Sequence, residues 1–315
     1  MVICSKCNKN RAVIKLRQEN IYLCKECFKR YFMDKVLLAL KRANVLNTLQ
    51  NKKILVASSG GKDSLNALYI MYLLSKKYDF DLETILVDEG IKGYRELTVK
   101  AFEKFCNNLG VKGEIISMKD EFGFSIDYVA RLYLSGLIVY KPCTVCGVLK
   151  RHIINRIAIK ENVDYVVTGH NMDDEVQTFF INIIRGTIKN LAREGILTSG
   201  ALGFVPRLKP LYYVTDKESL TFFLLNGFET PRVECPYASL SLRYHVRLFL
   251  NELEYRIPGM KERLLKLKDK FSTYLLKTEG KIQLKKCTIC GQPTTREICR
   301  ACEIVHEVKR ISTKI

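Results

Sequence analysis

The chain contains no tryptophan, and no apolar run in it approaches the roughly 18 residues needed to cross a membrane. Its opening, MVICSKCNKN, lacks the apolar stretch of a secretory signal. Both absences point to a cytoplasmic protein with no membrane partner. Acidic charge is also scarce: 33 Asp and Glu face 52 Lys and Arg, for a net charge of +19. That imbalance says nothing about fold but favours a polyanionic partner, nucleic acid first. Without tryptophan, any base stacking falls to the 16 Tyr and 15 Phe. Apolar residues are not in short supply. At 47% of 315 residues they exclude global disorder and suffice for two or three units with a sizeable core.

Cysteine carries the strongest signal. Ten of the twelve cysteines fall into five Cys-x-x-Cys pairs. Disulfide scaffolds belong to small secreted chains, so in a cytosolic chain this spacing reads as metal-binding or redox-active. Cys4, Cys7, Cys24 and Cys27 form one quartet near the start, and Cys287, Cys290, Cys299 and Cys302 form another near the end. Two thiolates two residues apart reach one ion from a tight knuckle, and two knuckles close a tetrahedron around Zn²⁺. Each terminal segment, about 30 residues, is too short to fold on a core of its own, and metal ligation supplies the missing energy. Such modules can also present basic side chains to RNA.

Residues 53–58, KILVAS, read as a buried strand, and LNALYIMYLLS has helical spacing. Between them lie Ser59, Gly60, Gly61, Lys62, Asp63 and Ser64. Strand, glycine turn and helix aim backbone N–H groups at a phosphate, and Lys62 adds positive charge. Asp63 follows the lysine where a Walker A loop needs Ser or Thr, and a carboxylate there suits Mg²⁺ or the orientation of Lys62. The segment S-G-G-K-D-S resembles the PP-loop of the N-type ATP pyrophosphatases, which split ATP between its α and β phosphates. Further strands are expected at TILVDEG, GEIISM and DYVVTGH, alternating with helices. The expected fold class is therefore α/β, a parallel sheet with helices on both faces, and ligands in such sheets sit beyond the carboxyl ends of the strands. Ser59 to Ser64, Asp88, and Gly169 to Asp174 all fall at those ends.

Cys143 and Cys146 in KPCTVCG have no second pair, only Cys235 and Cys106 as partners, and Cys106 reads as a buried helix residue. Three thiolates leave a metal an open coordination position. A [4Fe–4S] cluster, a sulfur-shuttling dithiol and zinc all remain open on spacing alone. Lys150 stands one helical turn after Cys146 and shares its face.

S-G-G-K-D-S, C-T-V-C-G, G-H-N-M-D-D-E-V-Q-T and the two quartets together resemble the TtuA-type tRNA 2-thiouridine synthetases over essentially the whole chain. The resemblance implies a [4Fe–4S] cluster on Cys143, Cys146 and Cys235, ATP at the Ser59–Ser64 loop with Mg²⁺, and Zn²⁺ at both ends. It implies catalytic roles for Lys150, Asp174 and Asp63, a ubiquitin-like sulfur carrier ending in a thiocarboxylate, and a homodimer. The expected reaction is adenylation of the uridine C2 oxygen followed by sulfur transfer, with the T-loop uridine taken ahead of the wobble uridine. Lys150 would steady developing charge, and Asp174 would orient Lys150 or move a proton. Asp173 and Glu175 could equally be helix N-terminal acids held by the dipole. The competing readings are a 2-thiocytidine synthetase, a cluster-independent persulfide thiolase and a non-enzymatic RNA-binding protein with zinc modules.

The expected units are a zinc module over residues 1–31, the PP-loop domain over 32–236, a basic helical extension over 237–284 and a second zinc module over 285–315. In the extension, Arg243, Arg247, Arg256, Lys261, Arg263, Lys266, Lys268 and Lys270 are expected to track tRNA phosphates, with steep salt dependence.

Overall fold

The computed structural model describes residues 2–191, 194–198, 200, 203–229, 231, 233–278 and 284–313. The chain opens with a small hairpin of β1 (Ile14–Leu16) and β2 (Ile21–Leu23), then runs into α1 (Lys25–Arg42). Next come β3 (Lys53–Ser58), α2 (Lys62–Tyr78), β4 (Asp81–Asp88), α3 (Arg95–Leu109), β5 (Gly113–Ser117), α4 (Met118–Phe122) and α5 (Ile126–Leu134). They are followed by α6 (Pro142–Lys160), β6 (Tyr165–Thr168), α7 (Met172–Ile184), α8 (Ile188–Leu191), β7 (Arg207–Leu208) and α9 (Asp216–Leu225). The chain then forms α10 (Leu242–Arg256), α11 (Met260–Thr278), a hairpin of β8 (Lys285–Lys286) and β9 (Pro293–Thr294), and α12 (Arg300–Ser312). Among the described residues, no helix is long and apolar enough to cross a membrane.

The central sheet has the order β5-β4-β3-β6-β7, and every pairing in it is parallel. The expected α/β class is what the structure shows. Strand order reverses between β3 and β6, so the connections after these two strands diverge and open a crevice at their carboxyl ends. The two faces bury different sets. Val56, Val167 and Leu208 pack toward α2, while Leu55, Ile85 and Val166 pack toward α6. This is the period-two alternation of a strand buried on both sides.

The terminal modules are built into the body. The expected boundary between residues 31 and 32 falls inside α1, a single helix that carries Cys27 in its first turn and shares one core with β3 and α2. The C-terminal module packs Ile304 and Val308 of α12 against Val145, Leu149 and Ile153 of α6. Gln292 donates to the carbonyl of His152 at 3.1 Å. The module therefore braces the helix that begins with the Cys143–Cys146 knuckle.

The basic extension departs from expectation at two residues. Lys268 is wholly buried and donates to Glu175 at 2.7 Å and to the hydroxyl of Tyr212 at 2.8 Å. Lys261 is buried too and pairs with Asp173. Neither can track phosphates. A buried ammonium must be paired, and α7 supplies the acids. Asp173 and Glu175 therefore serve as anchors for α11, beyond any interaction with their own helix dipole.

Candidate active site

The loop after β3 turns through Gly60, whose φ is +77°. A Cβ there would also lie 2.2 Å from the carbonyl oxygen of Thr98, so glycine is required for helix α3 to approach. Gly61 is the N-cap of α2, and among the described residues no side chain caps the first turn. Those N–H groups are free to meet an anion. The Ser64 hydroxyl is spent inside the loop. It donates to the Gly61 carbonyl at 2.9 Å and accepts from the Ser59 N–H at 3.0 Å. Gly169, following β6, abuts this turn: a Cβ on it would stand 2.6 Å from the Ser64 nitrogen. The two loops at the reversal point are thus locked backbone to backbone.

Lys62 reaches Asp63 at 2.8 Å and Asp216, at the start of α9, at 2.5 Å. Burial alone would lower the Lys62 pKa, but the two carboxylates hold it above the usual lysine range. Burial pushes Asp63 up, against the pull of Lys62. Its Oδ1 is buried with no hydrogen-bond partner among the described residues. An orphaned carboxylate oxygen beside a phosphate loop is a hard donor, which fits Mg²⁺. These groups line a cleft of about 530 Å³ that also receives Asp174 and Arg243. Asp174 caps α7 reciprocally with Asn171, and Arg243 donates to its backbone carbonyl at 3.2 Å. Burial pushes the Asp174 carboxyl up, with Arg243 opposing. Asp88 accepts from the Gly90 N–H at 2.8 Å, a turn-forming role.

On the other side of the crevice, α6 begins at Pro142 and carries Cys143 and Cys146 in its first turn. Cys235 comes from the loop before α10. Cys143 donates to the Tyr237 carbonyl at 3.2 Å, so the two segments meet. The three sulfurs lie near enough for their charges to act on one another. Cys106 is elsewhere, buried against Gly113 and Phe102, and is no fourth ligand. Burial raises all three thiols, Cys146 to about 11. A metal centre displaces those protons as it binds. Three converging thiols backed by a lysine are a donor set that an iron–sulfur cluster would suit.

Glu89, which sequence reasoning passed over, joins the two halves. It is 2% exposed and meets Lys150 at 2.7 Å and Arg95 at 2.6 Å. Cys146 lies 3.8 Å from the same Glu89 oxygen that holds Lys150. Arg95 in turn donates to the Ser59 carbonyl of the nucleotide loop at 2.7 Å. Burial would raise Glu89, but Lys150 and Arg95 hold it below the usual carboxylate range. Lys150 is held up by Cys146 and Glu89 against its own desolvation. Among the described residues no hydrogen bond or ion pair joins Lys150 to Asp174, so Glu89 rather than Asp174 orients it. The only signal for Glu89 in sequence was its place beside Asp88 at the end of a buried strand.

The quartets have the geometry of a closed tetrahedral site. In each, the four sulfurs lie within 4.8 Å of one another. Zinc–sulfur bonds of about 2.3 Å imply sulfur–sulfur edges of about 3.8 Å. Cys7 and Cys24 stand 3.8 Å apart, and Cys290 and Cys299 stand 3.6 Å apart. Burial would raise Cys4, yet backbone N–H groups of Cys24, Cys7 and Lys6 outweigh it and hold the thiol at about 6. Cys287 is held at about 6 in the same way by Cys299, Cys290 and Ile289. Cys27 is pushed to about 12 by burial and its neighbouring thiols. Four sulfurs at this spacing form a donor set that fits one tetrahedral cation in each quartet.

The parallel sheet, the phosphate loop at its reversal point and the thiols beside it define a PP-loop nucleotide-dependent enzyme with a sulfur centre. A family model for a PP-loop domain matches residues 35–134, and one for the N-terminal LIM domain of the 2-thiouridine synthetase TtuA matches residues 3–29. A probable sulfurtransferase of Methanocaldococcus jannaschii is 37% identical over 96% of this chain and 87% of its own length. The tRNA-5-methyluridine(54) 2-sulfurtransferase of Pyrococcus horikoshii is 34% identical over 99% of this chain and 96% of its own. The solved U34-tRNA thiolase NcsA of Methanococcus maripaludis, with its [4Fe–4S] cluster, superposes with a TM-score of 0.81. It is 32% identical and covers 96% of this chain and 95% of its own. The chain belongs to the TtuA-type family of tRNA 2-sulfurtransferases.

Proposed function

We propose that this protein converts a uridine of tRNA to 2-thiouridine by adenylating its C2 oxygen and replacing that oxygen with sulfur. The observation that carries the reading is the Glu89 bridge. It sets the thiol trio and the nucleotide loop on one crevice, so activation and sulfur transfer can share one bound base.

The C2 carbonyl of uridine is amide-like, and oxide does not leave. Transfer of AMP to that oxygen, with loss of pyrophosphate, makes it a leaving group. A sulfur nucleophile then bonds to C2, the C–O bond breaks, and AMP departs. The α2 N-terminus and Lys62 hold the phosphates, and Asp63 would hold Mg²⁺. A [4Fe–4S] cluster on Cys143, Cys146 and Cys235 would supply an open iron position for sulfur. Lys150, aimed by Glu89, stabilises negative charge developing on the base and α-phosphate. Asp174, its carboxyl raised by burial, takes part in proton movement at the cleft wall.

The ions at the two quartets are Zn²⁺, supported by the tetrahedral sulfur spacing. A ubiquitin-like carrier with a C-terminal thiocarboxylate delivers sulfur to a cytoplasmic homodimer; these parts rest on family resemblance alone. The T-loop uridine is the favoured target, in line with the name of the Pyrococcus relative. The wobble uridine is the second reading, favoured by the likeness to the Methanococcus thiolase.

Nucleoside analysis of tRNA from a deletion strain, mapped by position, tests the proposal. Loss of 2-thiolation in the T-loop is expected, and loss at the wobble position would move the target. Retention of every 2-thiolated uridine would overturn the function.

A further inference from the structure

Most arginines near the crevice already have an acidic partner. Arg95 has Glu89, Arg243 has Asp174 and Arg247 has Glu234. Arg151 and Arg207 differ. Among the described residues neither side chain has a hydrogen bond or ion pair, although Arg207 is half-buried. Their placement follows from the pleat and the helix repeat. Arg207 on β7 stands in register with Val166 of β6, whose side chain packs on the α6 face of the sheet. On α6, Ile154 and Ala158 pack against that face, and Arg151 lies on the same stripe one turn nearer the cysteines. The Arg151 guanidinium folds back beside Gly147, 3.5 Å from the position of a Cβ there.

The two arginines thus share the α6 face of the sheet, and the charges of Arg207 and Arg243 both reach His170, just beyond the carboxyl end of β6. Arg151 is close enough to Cys146, Arg243 and Arg207 for their charges to interact. Arg207 is pushed down to about 10 by its own burial and by Arg151. The acids that open α7 are committed elsewhere: Glu175 to Lys209 and Lys268, and Asp174 to its helix cap and Arg243. Two neighbouring guanidinium groups that, among the described residues, have no carboxylate partner call for an oxyanion. Their flat donor forks match phosphate oxygens in a bidentate way that lysine does not.

We infer that Arg151 and Arg207, flanked by Arg243, clamp a backbone phosphate of the RNA next to the nucleotide being thiolated. The inference rests on the tRNA reading above and names the groups that seat the substrate. A phosphate could also come from ATP, but the loop after β3 already provides for that triphosphate.

The test uses the full-length, iron-loaded enzyme carrying Arg151→Gln, Arg207→Gln or both. Each single change should raise the KM for tRNA about tenfold and lessen the slope of log affinity against log salt by about one unit. The KM for ATP, kcat at saturating tRNA, and the cluster absorption should stay within about twofold. Arg207→Lys should recover only part of the loss, since it keeps the charge but not the fork. A rise in the KM for ATP instead would assign the arginines to the nucleotide and overturn the inference. So would tRNA binding and salt slope equal to wild type in the double variant. Wild-type protein that binds no tRNA would overturn the thiolase reading as well, so the two failures are distinguishable.

Discussion

Glu89→Gln probes the centre of the proposed mechanism. The side chain keeps its shape and loses its charge, leaving Arg95 and Lys150 without their shared carboxylate. Arg95 is 2% exposed and cannot find water. Lys150 has 32% of its side chain in solvent and can swing outward. Removing one member of a buried ion pair costs about 3–5 kcal/mol. With Lys150 able to relax, the lower end applies, about 3 kcal/mol, which for a chain of this size lowers Tm by roughly 4–5 °C. Turnover should fall further than stability suggests, by about 10²-fold, because Lys150 loses its aim and the nucleotide loop loses the brace that Arg95 provides through Ser59. Calorimetry of the iron-loaded protein and single-turnover thiolation at saturating ATP measure the two effects. A Glu89→Gln protein that melts within about 1 °C of wild type and keeps its turnover would refute the bridge.

Other outcomes follow from the same geometry. Lys268→Met should cost about 3 kcal/mol by taking from buried Glu175 one of its two cations, while the salt dependence of tRNA binding stays unchanged, since Lys268 faces no solvent. Cys287→Ser should lower iron content as well as zinc, because the C-terminal module braces α6 beneath Cys143 and Cys146; metal analysis showing full iron would contradict this. Glu175 is depressed to about 2, chiefly by Lys209 and Lys268 acting against its burial. Its contribution to stability is complete above its ordinary value of 4.5 and is lost as pH falls through the folded value near 2. Urea midpoints should therefore be insensitive to this group above about pH 5 and fall in acid, and Glu175→Gln should flatten that fall.

Much of this was legible in the sequence because it is local. Cys-x-x-Cys spacing places two sulfurs on one knuckle whatever surrounds them, and a glycine turn between a strand and a helix presents N–H groups by its own geometry. The alternation of strand and helix patterns was enough to expect a parallel sheet and to place Ser59, Asp88 and Gly169 at one edge of it. Pairings across distant segments were not legible. Glu89, Arg95 and Lys150 are separated along the chain and have no shared pattern, so only folding shows that one carboxylate serves both cations. Lys261 and Lys268 looked like any other lysines of a basic helix. The acids that bury them belong to α7, and side-chain charge in a sequence carries no record of which charges will be desolvated together. Arg207 illustrates the same limit: a two-residue strand sets its direction, and its lack of an acidic partner among the described residues appears only once β7, α6 and α10 have been brought together. Local geometry is encoded residue by residue, whereas the balance of charge in a buried site is a property of the packed chain.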